Sequence, residues 1–161
     1  MTTPDTRWLT DAEQEAWRAF LEADRLLLDR LEHQLQRDAG MSHADYEILV
    51  RLSEAPGRQI RMSELAGQTL FSRSRLSHAV ARLERLGWVY RTSCPTDKRG
   101  MLAGLTDAGY AALEAAAPGH AAAVCRYVFD GLGPDQVGQL QRIAATIRGR
   151  IEAPGPAVTA G

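Results

Sequence analysis

The segment Ser72 to Leu86 reads SRSRLSHAVARLERL, and this segment decides the fold. A helix that begins after the cap residue Ser72 would collect its apolar side chains on one face. These residues are Leu76, Ala79, Val80, Leu83 and Leu86. The opposite face would carry small, polar or basic side chains, and its members are Ser74, Ser77, His78, Ala81 and Arg85, flanked by Arg75 and Arg82. The pattern predicts a helix that packs on a core and presents hydroxyl, imidazole and guanidinium groups outward.

The sequences on either side of this helix are typical of a winged helix-turn-helix. Residues 60–62 form a short extended piece, and Ser63 is placed to cap a short helix that runs to about Thr69. After Gly87, residues 88–92 are rich in aromatic and β-branched side chains, which favour a strand. A polar turn over residues 94–100 and a returning strand over residues 101–105 complete a hairpin. Two short helices followed by a basic-tipped hairpin predict the winged helix-turn-helix motif.

Long helices are predicted outside this motif, so the expected fold class is mainly α with a small β-hairpin wing. Residues 10–39 form one helix between the cap Thr10 and the terminator Gly40, and Ser42 with Asp45 resembles a capping box for the next. Residues 106–152 form the C-terminal helices, with a kink expected where Pro118-Gly119 interrupts them. A helix of about 30 residues is long for a small domain, and a second copy of the chain would supply the surface that it needs.

Composition and motifs limit the classes of function. The chain has 161 residues, of which 45% are hydrophobic and 24% charged, as in an ordinary soluble domain with one core. We find no apolar run long enough for a membrane span and no secretory signal, which predicts a cytoplasmic protein. The four histidines are scattered and the two cysteines lack metal-ligand spacing, so no metal or cofactor is expected. The sequence contains no nucleophile elbow, phosphate-binding loop or zinc-protease motif, so no motif indicates an enzyme.

The distribution of charge fits two interpretations equally well, a surface that meets the phosphates of DNA or a solvated helix face, and the helix pair with its hairpin favours DNA. The chain has a net charge of −1, yet residues 72–99 hold seven positive and two negative side chains, a net of +5. In helix-turn-helix docking, the N-terminal part of the second helix reaches the base edges, which here is the run from Arg73 to His78. An arginine in the wing, Arg99, is placed to enter the minor groove. The alternative is a winged-helix adaptor that binds a protein, and that class would present an apolar face at this helix.

An ordered set of motifs resembles the MarR (multiple antibiotic resistance regulator) family. The set comprises SELA at 63–66, SRSRLS at 72–77, LERLGWV with Arg91 at 83–91, Asp97-x-Arg99 and Leu105-Thr106-x-x-Gly109. The resemblance covers essentially the whole globular chain. It implies a homodimer in which residues 10–39 and 106–152 are dimerisation helices, residues 42–105 form the DNA-binding lobe, and residues 153–161 are a flexible tail.

The same resemblance implies the biochemical role. MarR-like proteins usually repress genes by binding palindromic operators, with the two recognition helices one DNA turn apart, about 34–36 Å. They often release DNA when a small phenolic or other anionic ligand, or an oxidant, acts between the dimer base and the DNA lobe. The DNA-binding residues that the resemblance assigns are Arg73, Ser74, Arg75, Ser77, His78, Arg82, Lys98 and Arg99. Lys98 stands where the family often has arginine, which keeps the charge but not the planar donor fork.

The cysteines differ from those of the peroxide-sensing members that the family contains. Those proteins carry a reactive cysteine near the start of the first helix, and this chain has none there. Cys94 lies at the junction of strand and wing and Cys125 lies on an alanine-rich helix. We expect both to be inert small side chains, with oxidation of Cys94 as the alternative.

Overall fold

The computed structural model describes residues 6–95 and 97–153, and this part of the chain forms six α-helices and three β-strands. The helices are α1 (Asp11–Ala39), α2 (His43–Glu54), α3 (Met62–Thr69), α4 (Arg73–Arg85), α5 (Asp107–Val124) and α6 (Pro134–Glu152). The strands are β1 (Gln59–Arg61), β2 (Val89–Cys94) and β3 (Asp97–Leu105). A 3₁₀ turn, Pro56–Arg58, precedes β1, and a π-helical segment, Cys125–Phe129, follows α5. This order confirms the mainly α winged helix-turn-helix.

The helix boundaries follow the local capping signals. Thr10 and Ser42 both form capping boxes, with Glu13 and Asp45 respectively, and Gly40 ends α1 at φ +64°. Helix α3 begins two residues earlier than predicted, at Met62, with Arg61 instead of Ser63 at the cap position and without a side-chain cap. Helix α5 continues through Pro118 to Val124, so the expected interruption there is wrong, whereas the expected kink stays a prediction. The surrounding alanines, which have the highest helix propensity, explain why the helix tolerates this proline.

A three-stranded antiparallel sheet in the order β1-β3-β2 supports the wing. Ile60 pairs with Ala103 across β1 and β3, and Val89 pairs with Leu105 across β2 and β3. The register shifts between Ser93 and Cys94, near the tip of the hairpin. Strand β3 begins at Asp97 rather than at residue 101, so the residues predicted as a polar turn lie largely in a strand.

The chain divides after Ala123 into two compact units, and the first contains the core that orients α4. Helices α1 to α4, the sheet and the start of α5 contribute to this core; its fully buried large side chains are Leu35, Met41, Ile48, Leu49, Leu52, Leu65, Leu76, Val80 and Leu83. Burying one such side chain stabilises the fold by about 1.5–3 kcal/mol. Leu86, predicted for the buried face, is 49% exposed, because α4 ends at Arg85 and Gly87 (φ +73°) turns the chain towards β2.

The second unit begins at Val124 and contains α6, which has no buried residue. Its large apolar side chains are exposed: Val137, Leu140, Ile143, Ile147 and Ile151. In residues 6–95 and 97–153, no helix combines the length and apolar character needed to cross a membrane.

The junction between the hairpin and α5 explains the motif Leu105-Thr106-x-x-Gly109. The Thr106 hydroxyl donates to the carbonyl of Gly87 (2.7 Å) and accepts from the N–H of Gly109 (3.0 Å). The Thr106 N–H donates to the carbonyl of Trp88 at 3.0 Å. At Gly109, a Cβ atom would lie 2.1 Å from the carbonyl oxygen of Trp88, so only glycine fits.

Gly109→Ala is expected to lower the free energy of unfolding by roughly 3 kcal/mol, because the clash is with backbone and outweighs alanine's better helix propensity. Urea denaturation measures this change. Gly67→Ala is the matched control, because a Cβ there meets nothing within 4 Å and α3 gains about 0.5–1 kcal/mol. Equal stability of the two variants would contradict the close approach of α5 to Trp88.

Candidate nucleic-acid interface

The outward face of α4 carries all the helix residues predicted to contact DNA. Arg73, Ser74, Arg75, Ser77, His78 and Arg82 are exposed, whereas Leu76, Ala79, Val80 and Leu83 are buried. The exposed set offers hydroxyl, imidazole and guanidinium donors on a single helix face. Such groups contact base edges in the major groove and phosphate oxygens along the backbone.

The N-terminal turn of α4 is fixed by its cap and by a ring contact. The Ser72 hydroxyl accepts from the N–H of Arg75 at 3.1 Å. The Arg75 guanidinium lies over the Phe71 ring, 4.2 Å from its centroid. Within the described part of the chain, no carboxylate lies at ion-pair distance from Arg73 or Arg75. Their N–H donors therefore face solvent rather than an acid of the same chain.

Arg82 differs from the other arginines of α4, because it is held by α2. Its guanidinium forms an ion pair with Asp45 and donates to the hydroxyl of Ser42 at 3.0 Å. The Asp45 side chain is 4% exposed, and its Oδ2 also accepts from the Ser42 N–H at 2.9 Å. Arg82 thus connects α4 to the capping box of α2. The sequence showed the capping box but gave no sign of this partner, which is 37 residues away.

The wing carries the last two predicted residues, Lys98 and Arg99. Their backbone belongs to β3, and their side chains lie outside the part of the protein that the structure describes. Asp97, beside them, accepts from Nη1 of Arg61 at 3.3 Å. Arg61 also lines a hollow of about 340 Å³ between the wing and α4, together with Arg73. Sequence reasoning missed Arg61, because only the pairing of β1 with β3 brings it to the wing.

A larger cleft, of about 990 Å³, lies beside α4. Its basic and apolar lining from α4 and the preceding turn comprises Phe71, Arg75, His78, Ala79, Arg82 and Arg85. Leu28 of α1 adds a further apolar side chain, and the acids Asp29, Glu32 and Glu47 come from α1 and α2. The cleft therefore combines apolar surface with cations on one wall and carboxylates on the other.

The histidines and cysteines lie on several different elements of the described structure. In the described residues there is no group of three or more His, Cys, Asp or Glu side chains placed to hold a metal ion. His120 packs on Tyr46, with 4.3 Å between ring centroids, and burial together with the nearby His43 lowers the pKa of His120. Cys94 is buried and Cys125 is exposed, and neither forms a disulfide bond within the described residues.

Comparison with known proteins places this geometry in a family. The family model described as "MarR family" matches residues 39–100. The uncharacterized HTH-type transcriptional regulator YkoM of Bacillus subtilis (strain 168) is 31% identical over 111 residues, which span 68% of this chain and 70% of YkoM.

Two solved structures from Streptomyces coelicolor are similar over most of the chain. Sco3205, a MarR family transcriptional regulator in complex with DNA, is 51% identical with a TM-score of 0.89, covering 96% of this chain and 95% of its own. AbsC, also a MarR family transcriptional regulator, is 47% identical with a TM-score of 0.82, covering 89% of this chain and 99% of its own.

Arg82→Ala is expected to lower the free energy of unfolding by about 2 kcal/mol, because it leaves the buried carboxylate of Asp45 without its cation. The value is below that of a fully buried pair, since Arg82 is 45% exposed. Chemical denaturation measures it. Arg85→Ala removes an exposed arginine from the same helix and is expected to change stability by less than about 0.5 kcal/mol. Similar losses in both variants would show that the Arg82–Asp45 pair does not hold α4.

Proposed function

The chain belongs to the MarR family of transcriptional regulators, and we propose that it represses transcription by binding a near-palindromic operator as a homodimer. In this proposal residues 42–105 are the DNA-binding lobe, and residues 10–39 and 106–152 form the dimer. Helix α4 enters the major groove, and the wing residues Lys98 and Arg99 approach the adjacent minor groove. The flexible tail proposed for residues 153–161 lies, from residue 154 onward, outside the described residues.

The observation that carries this proposal is the electrostatic character of the exposed face of α4. The single acid of this helix, Glu84, is bound by the Arg91 guanidinium through contacts of 2.6 and 2.9 Å. The negative charge of Glu84 is thereby compensated, while Arg73 and Arg75 keep their donors available. An adaptor that binds protein would instead present apolar side chains here. Sco3205, which is 51% identical, is a MarR family regulator whose structure contains DNA, and this likeness supports the same partner for this chain.

Exposed apolar faces on α1 and α6 support a second copy of the chain as the dimer partner. On α1, Trp17, Phe20, Leu21 and Leu28 are between 45% and 53% exposed. On α6, Leu140, Ile143 and Ile147 are between 42% and 57% exposed, at helical spacing. A monomer rarely leaves so much aligned apolar surface in water, and two-fold symmetry would bury the same faces of both chains.

Binding isotherms over a salt series, on the protein's own promoter region and on a scrambled duplex, test the proposal. We expect selective binding whose logarithmic affinity falls steeply with the logarithm of salt concentration, because arginines displace counterions from phosphates. Equal weak binding to both duplexes would favour an electrostatic surface or the adaptor.

Arg75→Ala and Arg99→Ala are each expected to weaken operator binding about 10- to 100-fold, and the double variant to reduce it to background, with folding and dimerisation unchanged. Fluorescence anisotropy with the operator duplex measures the affinity. Arg148→Ala is the matched control, because this exposed arginine of α6 lies outside the DNA-binding lobe. Wild-type affinity in the double variant would refute the assignment of these residues.

Ile143→Glu is expected to convert the dimer into monomers, because a carboxylate would enter the apolar contact between copies. Sedimentation equilibrium measures the mass, and operator affinity is expected to fall with it. Gln141→Glu introduces the same side chain two residues away, at an exposed polar position, and is expected to remain dimeric. A dimeric Ile143→Glu variant would exclude this face of α6 from the interface.

The cleft of about 990 Å³ is the proposed site of ligand control. Its apolar surface beside arginines suits a small aromatic anion, and an occupant would contact the recognition helix and α1 together. Such a ligand releases DNA only if it binds one dimer state more tightly than the other. Salicylate is a suitable probe, and phenol is its uncharged control: release of operator by salicylate alone supports an anion site. Operator binding that is insensitive to millimolar salicylate would count against this ligand class.

A further inference from the structure

We propose that Phe71 is a positioning residue for base recognition, because its ring holds the Arg75 guanidinium in the pose that reads a guanine. The inference rests on the proposed DNA-binding function and adds a specificity role for a residue that does not itself need to touch DNA. Three features support it: the backbone that places Phe71, the stacking geometry, and the donors that stacking leaves available.

The backbone places Phe71 through the turn that ends α3. Leu70 adopts a left-handed conformation at φ +54°, which is uncommon for a branched side chain. Its N–H donates to the carbonyl of Gly67 (3.4 Å), and the N–H of Phe71 donates to the carbonyl of Ala66 (3.2 Å). These two bonds form a Schellman motif, which fixes the direction of the chain after a helix. Phe71 consequently packs partly against the core while one side of its ring faces α4.

The backbone also fixes Arg75, independently of Phe71. Ser72 caps α4 by accepting from the N–H of Arg75 at 3.1 Å, which holds this residue at the third position of the helix. The guanidinium carbon then lies 4.2 Å from the centre of the Phe71 ring, within the range of a cation–π contact. A long side chain that has several rotamers in water is thus held against a fixed platform before DNA arrives.

Stacking retains the hydrogen-bonding capacity of the guanidinium, whereas an ion pair consumes it. The guanidinium carbon of Arg75 lies over the face of the Phe71 ring, and no ion pair in the described residues occupies its N–H groups. Arg82 and Arg91, by contrast, direct their N–H groups at Asp45 and Glu84. A planar edge with two parallel donors matches the O6 and N7 acceptors of guanine in the major groove. Arg75 is therefore the arginine of α4 best prepared for a bidentate base contact, and Phe71 prepares it.

The experiment begins with a single-base substitution map of the operator for the wild type and for Arg75→Ala. The guanine whose replacement weakens wild-type binding, but not binding by Arg75→Ala, is the base read by Arg75. Phe71→Leu and Phe71→Tyr are then measured on the operator with and without that guanine. Discrimination is the ratio of the affinities for the operators with and without this guanine. We expect Phe71→Leu to lower this ratio about two- to five-fold and Phe71→Tyr, which keeps the ring, to leave it at the wild-type value.

Discrimination at the other operator bases is the internal control, and thermal unfolding monitors the fold of each variant. A Phe71→Leu variant that weakens binding equally on every operator would show that Phe71 has a structural role only, which overturns the proposal. Unchanged discrimination in a folded Phe71→Leu variant would overturn it as well. Failure of the proposed function gives a different result, since the wild-type protein would then show no sequence preference to map.

Discussion

Leu76, Val80 and Leu83 are almost completely removed from water, and this burial fixes which side of α4 faces outward. Rotation of the helix by about one residue position, 100°, would carry these side chains into solvent at a cost of several kcal/mol. The donors on the opposite face are consequently presented in one orientation, and Phe71 and Asp45 hold two of them, Arg75 and Arg82, in place. The sheet and the Schellman turn add the remaining constraints, because they set where the helix begins and where the chain leaves it. Core packing therefore sets which side chains of α4 the protein presents to a partner.

The elements that the sequence predicted well are those encoded by neighbouring residues. Thr10, Ser42 and Ser72 act within one helical turn, so their capping roles are visible from spacing alone. The exposed face of α4 was predicted equally well, because the periodicity of a helix separates its two faces before any tertiary contact is known. The strong hydrophobic pattern of α1 was also visible, and its exposure in the single chain agrees with the need for an external surface.

The contacts that sequence reasoning missed join residues that are distant in the chain. Arg61 meets Asp97 through the β1–β3 ladder, and Arg82 meets Asp45 through the packing of α4 on α2. The residues next to Arg61 and Arg82 in the sequence give no sign of these ion pairs. Spacing alone therefore could not distinguish an arginine that holds the fold from one that is available to a partner. Leu86 was assigned to the buried face because periodicity cannot show where a helix stops. Pro118 was expected to interrupt its helix because proline lacks the N–H donor of a helix interior, and this rule leaves out the high helix propensity of the surrounding alanines.

The Arg82–Asp45 pair has a consequence for moving specificity between related proteins. The orientation of α4 is anchored partly outside α4, at the N-terminus of α2, where the N–H of His43 also donates to Glu32 of α1 at 2.7 Å. A recognition helix transplanted alone into another scaffold would leave that anchor behind, and its arginines would approach the groove at a different angle. If α4 binds DNA as proposed, the unit that must be transferred is α4 together with Ser42 and Asp45, which are distant in the sequence.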